Sequence, residues 1–197
     1  IQGDVVNLAD VAAGQLELLP QGILVSWLPP LLADKIPAKF QNPLVINYDP
    51  KVFAYNTETD ASSPFDNIWA LTEPEMKGRV AMQDPLNNPA LADFFNQMQI
   101  QADKAVADAY QARYNKPLKT KETSATAAWV AALAKNGPLL TESDQAVSDA
   151  VGAPGQKTGM VGILASAKFR DNEGKGYKLG LCTGVVPVAG YAKPKLI

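Results

Sequence analysis

Apolar residues recur along this chain in two rhythms, one helical and one extended, and the rhythms alternate. Between Pro89 and Tyr114, the residues Leu91, Phe94, Phe95, Met98, Ala102, Ala105, Val106 and Ala109 fall at three- and four-residue steps, which lines one face of a helix. Pro89 suits the first helical position, where an N–H has no intrahelical partner anyway. Asn88 precedes it as a cap, and Asn115-Lys116-Pro117 ends the pattern. A second helix is predicted from about Glu122 to Lys135, carrying Trp129, Val130 and Leu133 and stopped by Asn136-Gly137-Pro138. Ser143 caps a third through about Val151, before Gly152-Ala153-Pro154-Gly155 breaks the chain. Near the start, Val11, Ala12, Leu16 and Leu19 predict a helix ended by Pro20 and Gly22, with Asp10 placed to cap it.

The extended rhythm fills the gaps. Asp4-Val5-Val6 predicts a short strand, and Leu44 to Tyr55 a longer one, rich in the β-formers Val45, Tyr48, Val52, Phe53 and Tyr55, with Pro50 as a bulge or bend. Arg79–Met82 and Thr158–Leu164 are short apolar strands, and Tyr177–Val188 is a further β-like run with glycines. Pro29-Pro30 and Pro37 mark an irregular connection. Strands separated by helices predict an α/β lobe with a mixed sheet flanked by helices. In such sheets ligands sit beyond the carboxyl ends of strands, where loops lead into helices. That rule selects three places: after Val6, after Met82 and after Leu164.

Each place carries polar candidates. The loop Gln83-Asp84-Pro85-Leu86-Asn87-Asn88 runs from a strand into the strongest helix. A helix start offers free N–H groups and partial positive charge, suited to an anionic group. Asp84, Asn87 and Asn88 are therefore candidate ligand contacts, although Asn88 as plain cap and Asp84 as plain turn residue explain the same pattern. After the strand ending at Leu164, Ser166 is the candidate, with a local cap as the other reading. Asn7 and Asp10 would be the contribution of the opening segment, with Asp10 as simple N-cap the stronger reading.

Composition removes several chemistries. The chain has 197 residues, no histidine and one cysteine. Without histidine there is no Ser-His-Asp triad and almost no route to zinc. Cys182, in a β-like run, reads as a small buried apolar residue. A net charge of -2 with scattered basic residues gives no reason to expect nucleic acid as partner. Gly152 to Thr158 fails as a phosphate loop: Gln156 separates Gly155 from Lys157-Thr158, and helix precedes where a strand is required. Glu142 and Asp144, flanking Ser143, are electrostatically favourable at a helix start and read as structural. No run approaches the roughly 20 apolar residues of a membrane span, and IQGDVVNLAD is not a signal peptide.

The order of elements from Pro43 to Phe95 resembles the solute-binding proteins of ABC importers, in the group that includes ferric-ion, thiamine, phosphonate and phosphorylated-sugar binders. The resemblance rests on the strand ending in Tyr55-Asn56 and on the phrase Trp69, Leu71, Thr72, Pro74, Lys77, Gly78, Arg79 (Lys in the family's pattern), Val80, Ala81, Met82, Asp84 and Pro85. Gly22-Ile23-Leu24 and Val186-Pro187-Val188-Ala189-Gly190 resemble further family segments. The resemblance implies a periplasmic-binding-protein-like fold. Residues 1–42 would be part of a first lobe, 43–188 a second lobe with its crossover strands, and 189–197 the start of the return to the first lobe.

It further implies a monomer that captures a small polar or anionic solute by domain closure and delivers it to an ABC permease, with no cofactor, no resident metal and no bond broken. The location implied is periplasmic, or extracellular and lipid-anchored, with the signal segment cut away. A phosphorylated sugar or phosphonate is expected over iron, because the family's iron binders use paired tyrosines and here the position after Leu164 reads Ala165-Ser166-Ala167. The same fold also serves enzymes, where Asp84 would have to be the titrating group, and the effector domains of regulators.

Overall fold

The structure, a computed structural model, describes residues 14–196. The chain divides into two compact units, Ile1–Asp49 with Ala192–Ile197, and Pro50–Tyr191. In the first unit a five-residue helical turn, Gly14–Leu18, is the described part of the helix expected to end near Leu19. The strand expected at Asp4–Val6, together with Asn7 and Asp10, lies outside the described residues. Prolines start two single 3₁₀ turns, Pro30–Leu32 and Ala38–Phe40. The Gln41 amide ties them by donating to the carbonyls of Ala33 (2.8 Å) and Ile36 (2.6 Å). Val25, Trp27 and Leu31 are exposed in this unit.

The second unit is built on a mixed sheet. Its strands are β1 (Val45–Asn56), β2 (Val80–Gln83), β3 (Leu139–Thr141), β4 (Val161–Ala165) and β5 (Leu179–Leu181), in the order β3-β2-β4-β1-β5; β6 (Gly190–Leu196) pairs with β1 off this path. Strands β2, β3 and β4 are mutually parallel, while β1 runs antiparallel to β4 and β5. Both β1 and β6 cross from one unit's residues into the other's. Pro50 sits inside β1 without breaking it: the ladder to β4 begins at Lys51, paired with Ala165, so the missing N–H costs that ladder nothing.

Side-chain alternation divides the core into two layers. Phe53, Val80, Met82, Val161 and Ile163 face one side, under α1 (Pro89–Tyr114) and α2 (Ala125–Lys135). Ala54, Ala81 and Leu164 face the other, under Val147 and Val151 of α3 (Asp144–Gly152). The second layer is thin because its sheet residues are small: a Cβ on Gly162 would come within 2.7 Å of Val151. Helix α1 has the bounds the apolar stripe predicts, and Asn115 closes it at φ 52°. Trp129 of α2 is fully buried, and its indole N–H donates to the Ile68 carbonyl (2.9 Å).

Three boundaries differ from expectation. Helix α2 starts at Ala125, not Glu122, because Ser124 caps it and the Asp103 carboxylate accepts the amides of Ala125 (3.2 Å) and Thr126 (2.8 Å). The run Tyr177–Val188 is strand only over β5, since Gly184 turns the chain at φ +71°. Thr158–Met160 stays in a loop whose Gly159 carbonyl accepts the Arg79 side chain (2.8 Å). Strand β3, three residues long, and α4 (Asp171–Lys175) are too short for periodicity to announce.

Candidate functional site

Because β2, β3 and β4 are parallel, their carboxyl ends lie together at one end of the sheet, where the antiparallel β1 begins. The backbone ladder between β2 and β3 continues one step past the strands: the Asp84 amide donates to the Thr141 carbonyl (2.9 Å). From there Asp84 organises its own loop. One carboxylate oxygen accepts the Leu86 amide (3.0 Å), the other the Asn87 side-chain amide (2.6 Å). Across from it, the Thr141 hydroxyl bonds the Ser143 carbonyl (3.1 Å), and the Ser143 hydroxyl caps α3 by accepting from the Ala146 amide (3.1 Å). Between the two loops lies an open recess of about 380 Å³ lined by Asp84, Asn87, Leu140, Thr141 and Glu142. Its polar groups are carboxylates, an amide and a hydroxyl, the set that hydrogen-bonds hydroxyl-bearing solutes.

Behind these loops stands a buried charge. Lys51, 3% exposed, reaches from β1 to the Gln83 side-chain oxygen (3.0 Å) and to Asp144 Oδ2 (2.5 Å). A buried ammonium is tolerated only when paired and hydrogen-bonded, and this one has both kinds of partner. Asp144 Oδ1 is buried with no partner among the described residues.

Of the residues singled out from sequence, the structure brings Asp84 and Asn87 together in the recess. Asn88 lies outside it and caps α1, its side-chain oxygen accepting from the Ala90 amide (3.0 Å). The start of α1 is not the open donor set expected. Pro89 has no N–H, and the amides of Ala90, Leu91 and Ala92 are all taken by Asn88. Ser166 opens a 3₁₀ turn, Ser166–Arg170, at the end of β4, and its hydroxyl makes no hydrogen bond to the described residues and caps nothing. It shares the sheet end with the recess but does not line it. Asn7 and Asp10 lie outside the described residues. Sequence reasoning missed Thr141 and Lys51, and took Glu142 and Asp144 as structural. Leu139-Leu140-Thr141, framed by a Gly-Pro stop and a serine cap, was the available signal for β3.

The opposite end of the sheet is closed by its own side chains. Asn56, fully buried, donates to the carbonyls of Val151 (2.8 Å) and Ala153 (3.1 Å) at the end of α3 and accepts the Glu58 amide (2.9 Å). Cys182 is buried and its thiol is pushed up to about 11 by burial, which leaves no nucleophilic thiolate near neutrality. Among the described residues no group of three or more His, Cys, Asp or Glu side chains is arranged to hold a metal ion, and no helix is long and apolar enough to cross a membrane.

Neither a family model nor a curated protein sequence matches the chain. Solved structures do match, among them iron-bound HitA from Pseudomonas aeruginosa, with a TM-score of 0.62 at 12% identity over 95% of this chain. The chain spans 56% of the length of that structure. At this identity the likeness speaks for the fold: a mixed sheet flanked by helices, of the periplasmic-binding-protein kind.

Proposed function

We propose that this chain is part of the solute-binding component of an ABC import system, which captures a small polar solute and delivers it to a membrane permease without chemical conversion. The observation that carries the reading is the recess of Asp84, Asn87, Thr141 and Glu142 at the carboxyl ends of parallel strands, where ligands bind in open α/β sheets. The fold shared with iron-bound HitA supports it. In this reading residues 1–42 belong to a first lobe, 43–188 form a second lobe with its crossover strands, and 189–197 lead back. The protein works as a monomer in the periplasm, or outside the cell on a lipid anchor.

Asp84, Asn87, Thr141 and Glu142 take the solute's hydroxyl groups, and Ser166, with a hydroxyl unused by the described residues, supplies a further contact. Asn88, Asn7 and Asp10 belong to the same proposed set. The solute is a hydroxyl-bearing organic molecule such as a phosphorylated sugar or phosphonate, with its hydroxyl groups at the recess and its anionic group held away from Asp84 and Glu142; iron, the HitA ligand, is the competing cargo. A thermal-shift panel of sugar phosphates, phosphonates, thiamine and ferric iron on the full-length protein tests this. A ligand at 100 times its dissociation constant adds about 2.7 kcal/mol of stability. A shift with one organic solute, reduced by about half in Asp84→Ala, is the expected result. A shift with iron alone overturns the cargo class, and no shift across the panel overturns the binding role.

A further inference from the structure

Lys51 holds three segments at once. It lies on β1, two residues past the point where that strand enters the second unit. One of its hydrogen bonds goes to Gln83, the residue directly before Asp84, and the other to Asp144, the residue directly after the Ser143 cap and two past Glu142. Of the two loops that line the recess, one therefore begins at a partner of this ammonium group and the other ends at one. Among the described residues the Asp144 carboxylate has no second anchor, since Oδ1 is buried without a partner there. The return strand closes in on the same place: a Cβ on Gly190 would collide with the Lys51 carbonyl.

We infer that Lys51 is the positioning residue of the candidate site, fixing the Gln83–Asn88 loop and the start of α3 against the crossover strand β1. The physical reason is the cost of separating the partners. A buried ammonium stays in place only while its partners, here Gln83 and the partly exposed Asp144 carboxylate, satisfy it. The two loops are in turn held to one another by the Asp84–Thr141 backbone bond, so the whole recess inherits its position from the Lys51 head group. This goes beyond the solute-binding reading and does not depend on it.

The test needs no solute. Residue-resolved hydrogen exchange is measured on the 197-residue chain as wild type, Lys51→Met and the double variant Lys51→Met/Asp144→Leu. The local reporters are the amides of Asp84, Asn87, Ala146 and Val147; the distant ones are Thr57 and Val161, bonded to Lys178 and Arg79. Lys51→Met is expected to speed exchange at the local amides about tenfold or more through local opening, with the distant ones changed less than about twofold. The double variant removes the unpaired charge and keeps an apolar fill, so it folds even where the single variant does not. Its urea midpoint is expected to return toward wild type while the local amides stay fast, because the tether is gone. Equal acceleration at all six amides, or a double variant that restores local protection together with the midpoint, would show that Lys51 is only a core residue and overturn the inference.

Discussion

At one end of the sheet Asn56 spends its whole side chain on the protein, two bonds to the carbonyls ending α3 and one from the Glu58 amide. At the other end Asp84 and Asn87 bond mainly within their own exposed loop, and among the described residues Ser166 has no hydrogen-bond partner and Asp144 keeps a buried oxygen without one. The residue types are alike, but the accounts of their hydrogen bonds are not. Polar groups that close on the protein hold the fold, and polar groups left open are where a second molecule can bind. This distinction is invisible in composition and decisive in geometry.

Asn56→Ala should break the closed end most severely. It takes these partners from the Ala153 carbonyl and the Glu58 amide, leaves the Val151 carbonyl with the Gln156 side chain, and empties a fully buried site, for a loss of about 3 kcal/mol, read as a lower urea midpoint. Solute affinity per folded molecule should be unchanged; a fall in affinity with no loss of stability would reverse the roles assigned to the two ends. Gly190→Ala comes next. Its new Cβ would meet the Lys51 carbonyl and Val52, and overpacking against backbone costs about 2 kcal/mol. A variant as stable as wild type in calorimetry would show that β6 does not approach β1 this closely.

The open end should respond the other way round. Asp84→Ala removes two exposed loop bonds and should cost under about 1 kcal/mol of stability, yet weaken solute binding about tenfold. Ser166→Ala should leave stability within about 0.5 kcal/mol and weaken binding by a smaller factor, both read by titration calorimetry once the panel has named a solute.

The smallest effect concerns acid, and a third cluster, along α3. The Gln145 amide holds the Asp149 carboxyl below its usual range, with burial opposing and Tyr177 and Lys175 adding to the lowering. A carboxyl lowered by folding contributes fully above its unfolded value, about 3.9, and loses that contribution as pH falls through the lower folded value. The urea midpoint should therefore fall below about pH 4, slightly less steeply in Asp149→Asn. The effect is small because the carboxylate is 47% exposed.

Much of the fold was legible because its cues are local. Helix α1 follows from a stripe, a proline and an asparagine, and β1 from a run of β-formers. The longest sequence phrase, from Trp69 to Pro85, turns out to be mostly architecture. The Trp69 indole N–H bonds the Val106 carbonyl, Gly78 occupies φ +70°, and Val80, Ala81 and Met82 are buried strand; Asp84, within the phrase, reaches the recess. Thr141 escaped notice, and Glu142 was read only as part of a helix start, because the strand before them is three residues long and acquires meaning only beside β2. Lys51 escaped for a different reason. A lysine in an apolar run gives no sign of its partners, and these lie at Gln83 and Asp144, far along the chain.

The register of β1 also sets an order of events during synthesis. Its residues Lys51–Asn56 pair with Val161–Ala165 and Leu179–Leu181, roughly a hundred residues later in a chain made at about 5–20 residues per second. Strand β1, with Phe53 and Tyr55 on it, must therefore wait several seconds for neighbours that its own half of the chain does not encode. Pairings this distant in sequence are slow to form. The helices α1 and α2 can dock on each other first, and the sheet is completed from its middle only when the final third of the chain is free.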